Sequence, residues 1–415
     1  MFNTDIISPF GYLFDDEERW ATLENTLSAG RFEREETLED ARNSCRHLAL
    51  TNEFAINGHE NRVSFVVGSG HKYRVVPCRG RTAPDDLIRK AQDWIDDFID
   101  ENCWYDRQQE IFHRKDRDGE VFLRIFRLTD GRTFLRFIEP EDVKNPSDAQ
   151  ESSKMGVVVS PNDAEFVLGY WVENKFISAE NVQHRKSNVD RTVVRGIPLF
   201  FPVRKNLRRA EKLLRNMSVV AEIQSAIAII RKHSGSTRSG IENFVANSTD
   251  YSTSSSKRFR HYSPGTIIDA SSGIDYQFPV AAVDASRYIL VLQAELRAIA
   301  SRLVMPEFML TSDASNANYS STMVAEGPAV RMFERLQRQM MHEDSRLFKR
   351  VLMNGVVSGA LPAETLDFVT IHISSPKITV RNRLEEIQAD KLLVELGAMS
   401  VEDLAARHGT GQNYS

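Results

Sequence analysis

Cysteine is scarce in this sequence, and the familiar phosphate- and metal-binding motifs are missing. The 415 residues contain three cysteines, Cys45, Cys78 and Cys103, with no CxxC pair and no Cys/His spacing typical of zinc sites. Such a sparse, odd set excludes a disulfide scaffold and favours free thiols in a reducing cytoplasm. GxxxxGK[ST], GxSxG and HExxH are also absent, which excludes the ATPase, hydrolase and zinc-protease sites that these motifs build.

Long apolar runs are missing as well. The most apolar stretch, from Val219 to Ile230, covers about 12 residues and contains Glu222 and Gln224, whereas a transmembrane helix needs roughly 20 apolar residues. The first residues lack the basic start and apolar core of a secretion signal. We therefore expect no membrane segment.

The composition is that of a folded chain. Apolar residues make up 41% of the sequence, charged residues make up 27%, and the formal net charge is −5. The length is enough for two or three hydrophobic cores. Mild acidity does not decide whether nucleic acid binds, because the placement of charge matters more than its total.

The first half of the chain is predicted to mix helices and strands in one domain. Apolar residues at helical spacing predict a helix within residues 35–54. The following β-branched run, residues 61–70, predicts a strand that ends in a turn at Gly68 and Gly70.

Two further segments carry clear local signals. Residues 82–102 predict a helix, with Thr82 as the N-cap and Pro84 in the first turn. Residues 119–140 alternate apolar and basic residues on both sides of Asp130-Gly131, which predicts a β-hairpin.

Heptad helices are predicted in the second half. The first runs from Phe201 to His233, and a third long helix reaches about Asn354 with an interruption at Gly327-Pro328. The polar stretch 233–265, rich in Ser, Thr, Asn and Gly, is predicted to be a loop. The seam of the first helix consists of Val203, Leu207, Ala210, Leu214, Met217 and Ala221, and that of the second consists of Ile289, Leu292, Leu296, Ile299 and Leu303. The buried face of the third consists of Phe333, Leu336, Met340, Leu347 and Val351.

No arrangement of acids or histidines predicts an active site or a metal site. Neighbouring residues on a helix diverge by ~100°, so His342-Glu343-Asp344 cannot converge on one metal, and we expect a solvated helix face there. A solvated face is also expected for the acids of the helix in residues 82–102, which are Asp93, Asp96, Asp97, Asp100 and Glu101. We therefore predict that the chain has no catalytic activity of its own, no metal and no cofactor.

A basic cluster stands out at the start of the first heptad helix. Its members are Arg204, Lys205, Arg208, Arg209, Lys212 and Arg215. One interpretation is a solvated helix face with extended side chains, and the other is attraction to a DNA phosphate backbone. A second basic group, Lys257, Arg258 and Arg260, fits an exposed loop, an inter-subunit contact or a nucleic-acid contact.

Three segments, taken in order, resemble the lambda-type bacteriophage portal proteins. Residues 40–70 form an Arg-rich helix that leads to Val-Val-Gly-x-Gly, and residues 177–203 carry Ile-x-Ala-x-x-Val-x-His followed by Arg-Gly-Ile-Pro. Residues 287–324 contain Leu-Thr-x-Asp-x-Ser-x-x-Asn-Tyr-Ser-Ser after a helix. Each motif alone is moderately specific, but their order and spacing make the resemblance strong.

The resemblance implies an α+β portal-protein fold that assembles as a ring. The implied parts are a mixed α/β wing (1–198), a first stem helix (199–233), a small clip (234–281), a second stem helix (282–305), a tunnel loop (306–322), a long helix returning to the wing (323–360) and a helical crown (361–415). The implied DNA-channel residues of the tunnel loop are Thr311, Ser312, Asp313, Ser315, Asn316, Asn318, Tyr319 and Ser320. Ser312, Ala314 and Met323 stand where many relatives have Gly, an aromatic residue and Arg.

The implied function is that of a portal subunit. About twelve copies would form a channel at one vertex of the phage head, with backbone contacts to double-stranded DNA. The terminase large subunit would package the DNA, which would later be ejected through the same channel. The other implied partners are the major capsid or scaffold protein and a head-tail adaptor, and the implied locations are the virion and, during assembly, the host cytoplasm.

Two alternatives remain at this point. A metal-dependent DNA-processing enzyme, a nuclease or recombinase, would need carboxylates gathered on neighbouring strands to hold Mg²⁺. A cytoplasmic helical scaffold explains the heptads but not the order of the three segments.

Overall fold

The chain divides into two compact units. The computed structural model describes residues 27–28, 31–32, 35–147, 153–232, 266–270, 285–313, 315, 319–378, 383–399, 401 and 404. Unit 1 consists of Met1–Arg46, Gly58–Leu199 and Ser315–Ser415, and unit 2 consists of His47–Asn57 and Phe200–Ala314. Among the described residues, no helix has both the length and the apolar composition needed to cross a membrane.

Both units contain helices and strands. The α-helices in the described residues are α1 (Glu35–Thr51), α2 (Glu53–Val66), α3 (Asp85–Glu101), α4 (Trp104–Asp118), α5 (Arg204–Ala226), α6 (Ala285–Leu303), α7 (Glu307–Thr311), α8 (Tyr319–Ser358), α9 (Thr365–Phe368) and α10 (Arg383–Glu395). The strands there are β1 (Leu27–Ser28), β2 (Arg31–Phe32), β3 (Lys72–Pro77), β4 (Glu120–Arg127), β5 (Thr133–Ile138), β6 (Ser153–Lys154), β7 (Val157–Ser160), β8 (Asp163–Val172), β9 (Lys175–Ser178), β10 (Val182–Lys186), β11 (Ile227–Lys232), β12 (Thr266–Ala270) and β13 (Val369–Ser374). This mixture confirms the predicted combination of helix and strand.

Unit 1 is organised around an antiparallel sheet with the strand order β10-β4-β5. Because side chains alternate along a strand, the two faces of this sheet bury different cores. Val121, Leu123, Ile125 and Leu135 point into a core shared with α3, α4 and α8. On the other face, Phe122 packs against the four-stranded sheet β6-β7-β8-β9. Strand β4 is therefore buried on both faces along most of its length.

The local predictions for α3 and the hairpin are confirmed, with one correction. β4 and β5 pair in antiparallel register around the turn, where Gly131 has φ +90°. Helix α3 begins at Asp85, but its N-cap is Pro84 and the cap makes no side-chain hydrogen bond, so the prediction of Thr82 as the cap is wrong. Proline fits the first positions of a helix because no intrahelical partner exists there for its missing N–H.

The strand predicted for residues 61–70 is wrong. Helix α2 continues through Val66, and the chain then reverses at Gly68 and Gly70, whose φ angles are +53° and +98°. Within unit 1, Val66 is fully buried and Phe65 stacks on Phe333 with ring centroids 4.8 Å apart. Burial of these side chains overrides their intrinsic preference for extended structure.

The predicted break at Gly327-Pro328 is also wrong, since α8 runs without interruption from Tyr319 to Ser358. Proline removes one backbone hydrogen bond to the residue four positions earlier, here Val324. Val324 is 80% exposed and Pro328 is exposed, so water can satisfy that carbonyl. The predicted apolar face of α8 is confirmed, because Phe333, Met340, Leu347 and Val351 are buried and Leu336 is half-buried.

The first heptad helix is shorter than predicted. Helix α5 ends at Ala226, and Ile227–Lys232 forms β11, which pairs in parallel with β12. The run Ile227-Ala228-Ile229-Ile230 is rich in β-branched residues, which favour strands. The stretch 233–265, which is predicted to be a loop, lies outside the described residues.

The described part of residues 361–415 contains α9, β13 and α10. The prediction of free thiols agrees with the structure. Cys45 is buried, Cys78 is half-buried and Cys103 is exposed, and all three are free thiols.

Candidate nucleic-acid interface

Helices α5 and α6 of unit 2 pack along their predicted heptad seams. Leu207 and Ala210 of α5 are fully buried, as is Ile299 of α6. A polar bridge fixes the pairing, because the side-chain amide of Asn206 donates to Glu295 at 2.6 Å. Heptad spacing therefore produces a packed helix pair, as the sequence predicts.

The seam is left partly uncovered toward the end of α5. Leu214 and Met217 are half-buried and Ala221 is exposed, although they continue the same heptad row as Leu207. On α6, the first seam residue, Ile289, is 44% exposed. An apolar row that continues past its partner within one subunit is typical of a surface that another chain covers.

The basic cluster of α5 divides into three groups. Arg208, Lys212 and Arg215 are exposed at spacings of four and three residues, so they form one row on the helix. Arg209 lies on a different side, 3.5 Å from Glu295, and Lys205 is half-buried.

Arg204 does not belong to the exposed row. It is 8% exposed, donates to the backbone carbonyl of Phe201 at 2.7 Å, and lies 4.2 Å from the centre of the Phe201 ring. Its guanidinium therefore stabilises the start of α5. The other predicted basic group, Lys257, Arg258 and Arg260, lies outside the described residues.

The predicted tunnel loop, residues 306–322, contains the short helix α7 and the first residues of α8. Thr311 is the last residue of α7, Ser312 has φ +58°, and the backbone N–H of Asp313 donates to the Thr311 hydroxyl at 3.3 Å. Ser315 is exposed, and Tyr319 and Ser320 already belong to α8. Asn316 and Asn318 lie outside the described residues.

Asn57 anchors the end of α7, a role for which the sequence carries no local signal. Its side-chain amide donates to the carbonyls of Met309 and Leu310 at 3.0 and 2.6 Å. The last carbonyls of a helix have no intrahelical partner, so these bonds satisfy two of them. Residues 47–57 thus help to position the start of the predicted tunnel loop within unit 2.

The expected solvated face at His342-Glu343-Asp344 is wrong for two of its three residues. Asp344 is fully buried and accepts hydrogen bonds from Tyr73 at 2.7 Å and from Arg185 at 2.8 Å. Glu343 is half-buried and pairs with Lys115 at 2.7 Å, while His342 is exposed. The acids of α3 are exposed as predicted.

The buried charges of unit 1 are mutually neutralised. Asp116 pairs with Arg62 at 2.6 Å. Burial raises the pKa of Asp116, but the charge and hydrogen bond of Arg62, together with His59 and Lys115, outweigh it and leave the pKa below its ordinary value. In the part of the chain that the structure describes, no three His, Cys, Asp or Glu side chains are grouped to hold a metal ion. Among the described residues, the charged groups of unit 2 thus include an exposed basic row on α5, formed by Arg208, Lys212 and Arg215.

The sequence comparison with family models decides the identity. The model of the lambda family of phage portal proteins matches residues 17–337, more than three quarters of the chain. This chain belongs to the lambda family of phage portal proteins. The resemblance carried by the three segments is thereby confirmed, and the protein is a portal subunit.

Solved structures of related assemblies are similar to this portal protein at low identity. A chain from the virion of a native gene transfer agent particle is 11% identical, with 87% of this chain and 90% of that chain covered and a TM-score of 0.46. A chain from the neck of the native particle with C12 symmetry is 12% identical, with 89% and 94% covered and a TM-score of 0.38.

A third structure is an HK97-family phage portal protein from Corynebacterium diphtheriae. It is 11% identical, with 79% of this chain and 94% of that chain covered and a TM-score of 0.36. A search of curated proteins finds no significant match. The assignment of the portal protein to its family comes from the family model.

Proposed function

We propose that this portal protein assembles head to tail into a closed ring of about twelve subunits around a DNA channel. The match of residues 17–337 to the lambda portal family carries the proposal. Double-stranded DNA passes through the channel, driven in by the terminase large subunit and later ejected. The ring contacts the major capsid or scaffold protein and a head-tail adaptor, and it resides in the virion after assembly in the host cytoplasm.

The subunit acts as structure and not as an enzyme in this proposal. Residues 1–198 form the wing, 199–233 and 282–305 the stem helices, 234–281 the clip and 306–322 the tunnel loop. Residues 323–360 return to the wing and 361–415 form the crown. The small polar residues Thr311–Ser320 make weak, exchangeable contacts with sliding DNA, and the motor activity belongs to terminase.

Electron microscopy of the purified protein tests ring assembly directly. We expect negative-stain images to show rings with a central hole and light scattering to give the mass of about twelve subunits. The half-exposed seam of α5 supports this expectation, since Leu214 and Met217 lack full cover within one chain. A monomer at every concentration, alone and after co-expression with scaffold protein, contradicts the proposed function.

The exposed basic row of α5 is expected to act on DNA and not on assembly. Replacing Arg208, Lys212 and Arg215 with alanine removes three charges that attract phosphates, so the yield of DNA-filled heads should fall about tenfold or more while rings persist. Electron microscopy of the rings and quantification of packaged DNA measure the two effects separately.

A matched control is available on α8. Arg331, Arg335 and Arg338 are exposed at the same spacing of four and three residues, so their alanine variant removes equal charge from another helix. We expect near-normal packaging from this control. Loss of rings in the α5 variant would instead assign that row to subunit contacts.

A further inference from the structure

The hairpin β4–β5 carries an unusual pairing on the face that points away from α3. Arg124 lies directly opposite Arg136, and Phe126 lies directly opposite Phe134. Residues two apart on a strand share a face, so the four side chains form one patch, which we call the Arg–Phe face. Phe122, nearer the start of β4, is covered by the sheet β6-β7-β8-β9, whereas Phe126 is 46% exposed.

The two arginines of the Arg–Phe face have no acidic partner among the described residues. Arg136 is exposed and donates to the backbone carbonyl of Leu135 at 2.7 Å. The Nη1 atom of Arg124 is buried with no hydrogen-bond acceptor in the described part of the chain. Like charges directly opposite each other destabilise a sheet, so this face gains stability when an anionic group lies against it.

The two phenylalanine rings of this surface lie close to its arginine side chains. The Arg124 guanidinium lies 5.4 Å from the centre of the Phe126 ring, and that of Arg136 lies 6.0 Å from the Phe134 ring. Arginine and exposed aromatic residues are the types enriched at the centres of protein interfaces. The Arg–Phe face therefore fits a protein surface that presents carboxylates together with the methylene groups of its side chains.

Such a surface exists on α3 of the same unit. Asp93, Asp96, Asp97 and Asp100 are all exposed and follow the spacing that places them in one row, which we call the acidic face. No described cation pairs with any of them, in contrast to Asp86, which pairs with Arg89 and Lys90 at the start of the helix.

The acids of this face also act on one another. The pKa of Asp96 is raised by partial burial and by repulsion from Asp93, Asp100 and Asp97, which outweigh a hydrogen bond from Gln92. A row of carboxylates that repel one another is stabilised when cations approach it. Among the described residues, the acidic face thus lacks cationic partners and the Arg–Phe face lacks anionic partners.

The two faces lie on opposite sides of one packed layer. The buried side of α3, with Ala91 and Ile95, shares a core with Leu123 and Leu135 on the inner side of the hairpin. The acidic face points away from this core on the helix side, and the Arg–Phe face points away from it on the sheet side. A single copy cannot bring them together, but successive copies in a ring can.

We propose that the acidic face of α3 in one subunit binds the Arg–Phe face of the next subunit. The proposal rests on the proposed ring assembly, because a head-to-tail contact requires two different, complementary surfaces on each subunit. The four aspartates neutralise the two arginines, and Phe126 and Phe134 pack against the methylene groups of α3. The same contact would form between every pair of neighbouring subunits, so the ring is stabilised by the sum of many weak contacts.

Charge reversal with recombination tests the contact. Variant A carries Arg124→Glu and Arg136→Glu, and variant B carries Asp93→Lys, Asp96→Lys, Asp97→Lys and Asp100→Lys, so that each variant reverses the whole charge of one face. Each variant alone places like charges at every contact, so the protein concentration needed for half-assembly should rise by about 100-fold or more. Light scattering and negative-stain images measure this concentration.

An equimolar mixture of variants A and B should form rings again. In an alternating ring, the acidic hairpin of A meets the basic helix of B, and the basic hairpin of B meets the acidic helix of A. Unchanged assembly of the single variants, or no recovery in the mixture of two folded variants, overturns the proposal. If circular dichroism shows that the R124E/R136E variant is unfolded, the single variants R136E and D97K are used in place of variants A and B, because residues 136 and 97 are both exposed.

Further measurements distinguish the proposed contact from a general effect of charge, from failure of ring assembly and from DNA binding. Reversal of Arg331 and Arg335 to glutamate on α8 should leave the half-assembly concentration within about twofold, because these charges lie outside both faces. If the unaltered protein forms no rings, the proposed function fails; if it forms rings that ignore both reversals, only this contact fails. Loss of double-stranded DNA binding in variant A with intact rings would overturn the contact and assign the Arg–Phe face to nucleic acid instead.

Discussion

Replacing Glu120 with glutamine is expected to lower the free energy of unfolding by about 3–5 kcal/mol. The carboxylate is fully buried at the start of β4 and lies 2.7 Å from Arg42 and 2.8 Å from Arg195, both of which are buried. The substitution preserves size but removes the negative charge. Two buried guanidinium groups would then face a neutral amide.

Glu120 also makes contacts that join several segments of unit 1. Its second oxygen accepts from the backbone N–H of Gly196 at 3.0 Å and lies 3.0 Å from Nε2 of His184. Arg195, held by the same carboxylate, also donates to the carbonyls of Pro140, Val143 and Met155. One charge therefore organises α1, the central sheet and three connecting segments of unit 1.

Urea unfolding followed by circular dichroism measures this effect, and Glu101→Gln is the matched control. Glu101 also lies 2.8 Å from an arginine, Arg132, but that arginine side chain is 49% exposed. An exposed pair contributes about 0–1 kcal/mol, so the control should unfold almost like the unaltered protein. Equal losses in the two variants would contradict the role of burial.

The effect of Glu120 should also depend on pH. Burial raises the pKa of Glu120, but Arg195, His184 and Arg42 together outweigh it and hold the pKa far below its ordinary value. The unfolded state therefore binds the proton more readily, so the stabilisation is full above about pH 5 and declines as the pH falls. The stability difference between the unaltered protein and Glu120→Gln should shrink between pH 5 and pH 3.

Features that depend on neighbouring residues were predictable from the sequence. The β4–β5 hairpin follows from alternation around Asp130-Gly131, and α3 follows from its acidic, proline-led start and its apolar row. The buried seams of α5 and α6 follow from their heptad spacing. The basic cluster of α5 was predictable as a group, although burial separates Arg204 from its exposed members.

Features that depend on distant residues were not predictable in this way. Asp344 was expected to be solvated because its helix neighbours are polar, yet Tyr73 and Arg185 reach it from 271 and 159 positions away. Glu120 likewise meets Arg42 and Arg195 across separations of 78 and 75 residues. A single sequence carries no periodicity that links such positions, so only the folded chain identifies these pairs.

The second large effect is expected at Gly119, next to Glu120, where alanine should lower the free energy of unfolding by at least about 3 kcal/mol. Gly119 has φ +84°, and a Cβ there would lie 2.6 Å from the backbone nitrogens of Ile197 and Pro198. Backbone atoms cannot move aside as a flexible side chain does. The two segments are also joined through Ser187, whose N–H donates to the Gly119 carbonyl at 2.7 Å.

Gly80→Ala separates the steric clash from the strain of the backbone angle. Gly80 has φ +78°, and a Cβ there would meet no atom within 4 Å, so alanine should cost only the left-handed conformation, about 1–2 kcal/mol. Urea unfolding of both variants gives the difference, which we attribute to contact with residues 197–198. If the difference vanished, the close approach of the two segments would not constrain residue 119. The same close approach involves Gly196, where a Cβ would clash with the carbonyl group of Gly119, and Gly196 directly follows Arg195, the partner of Glu120.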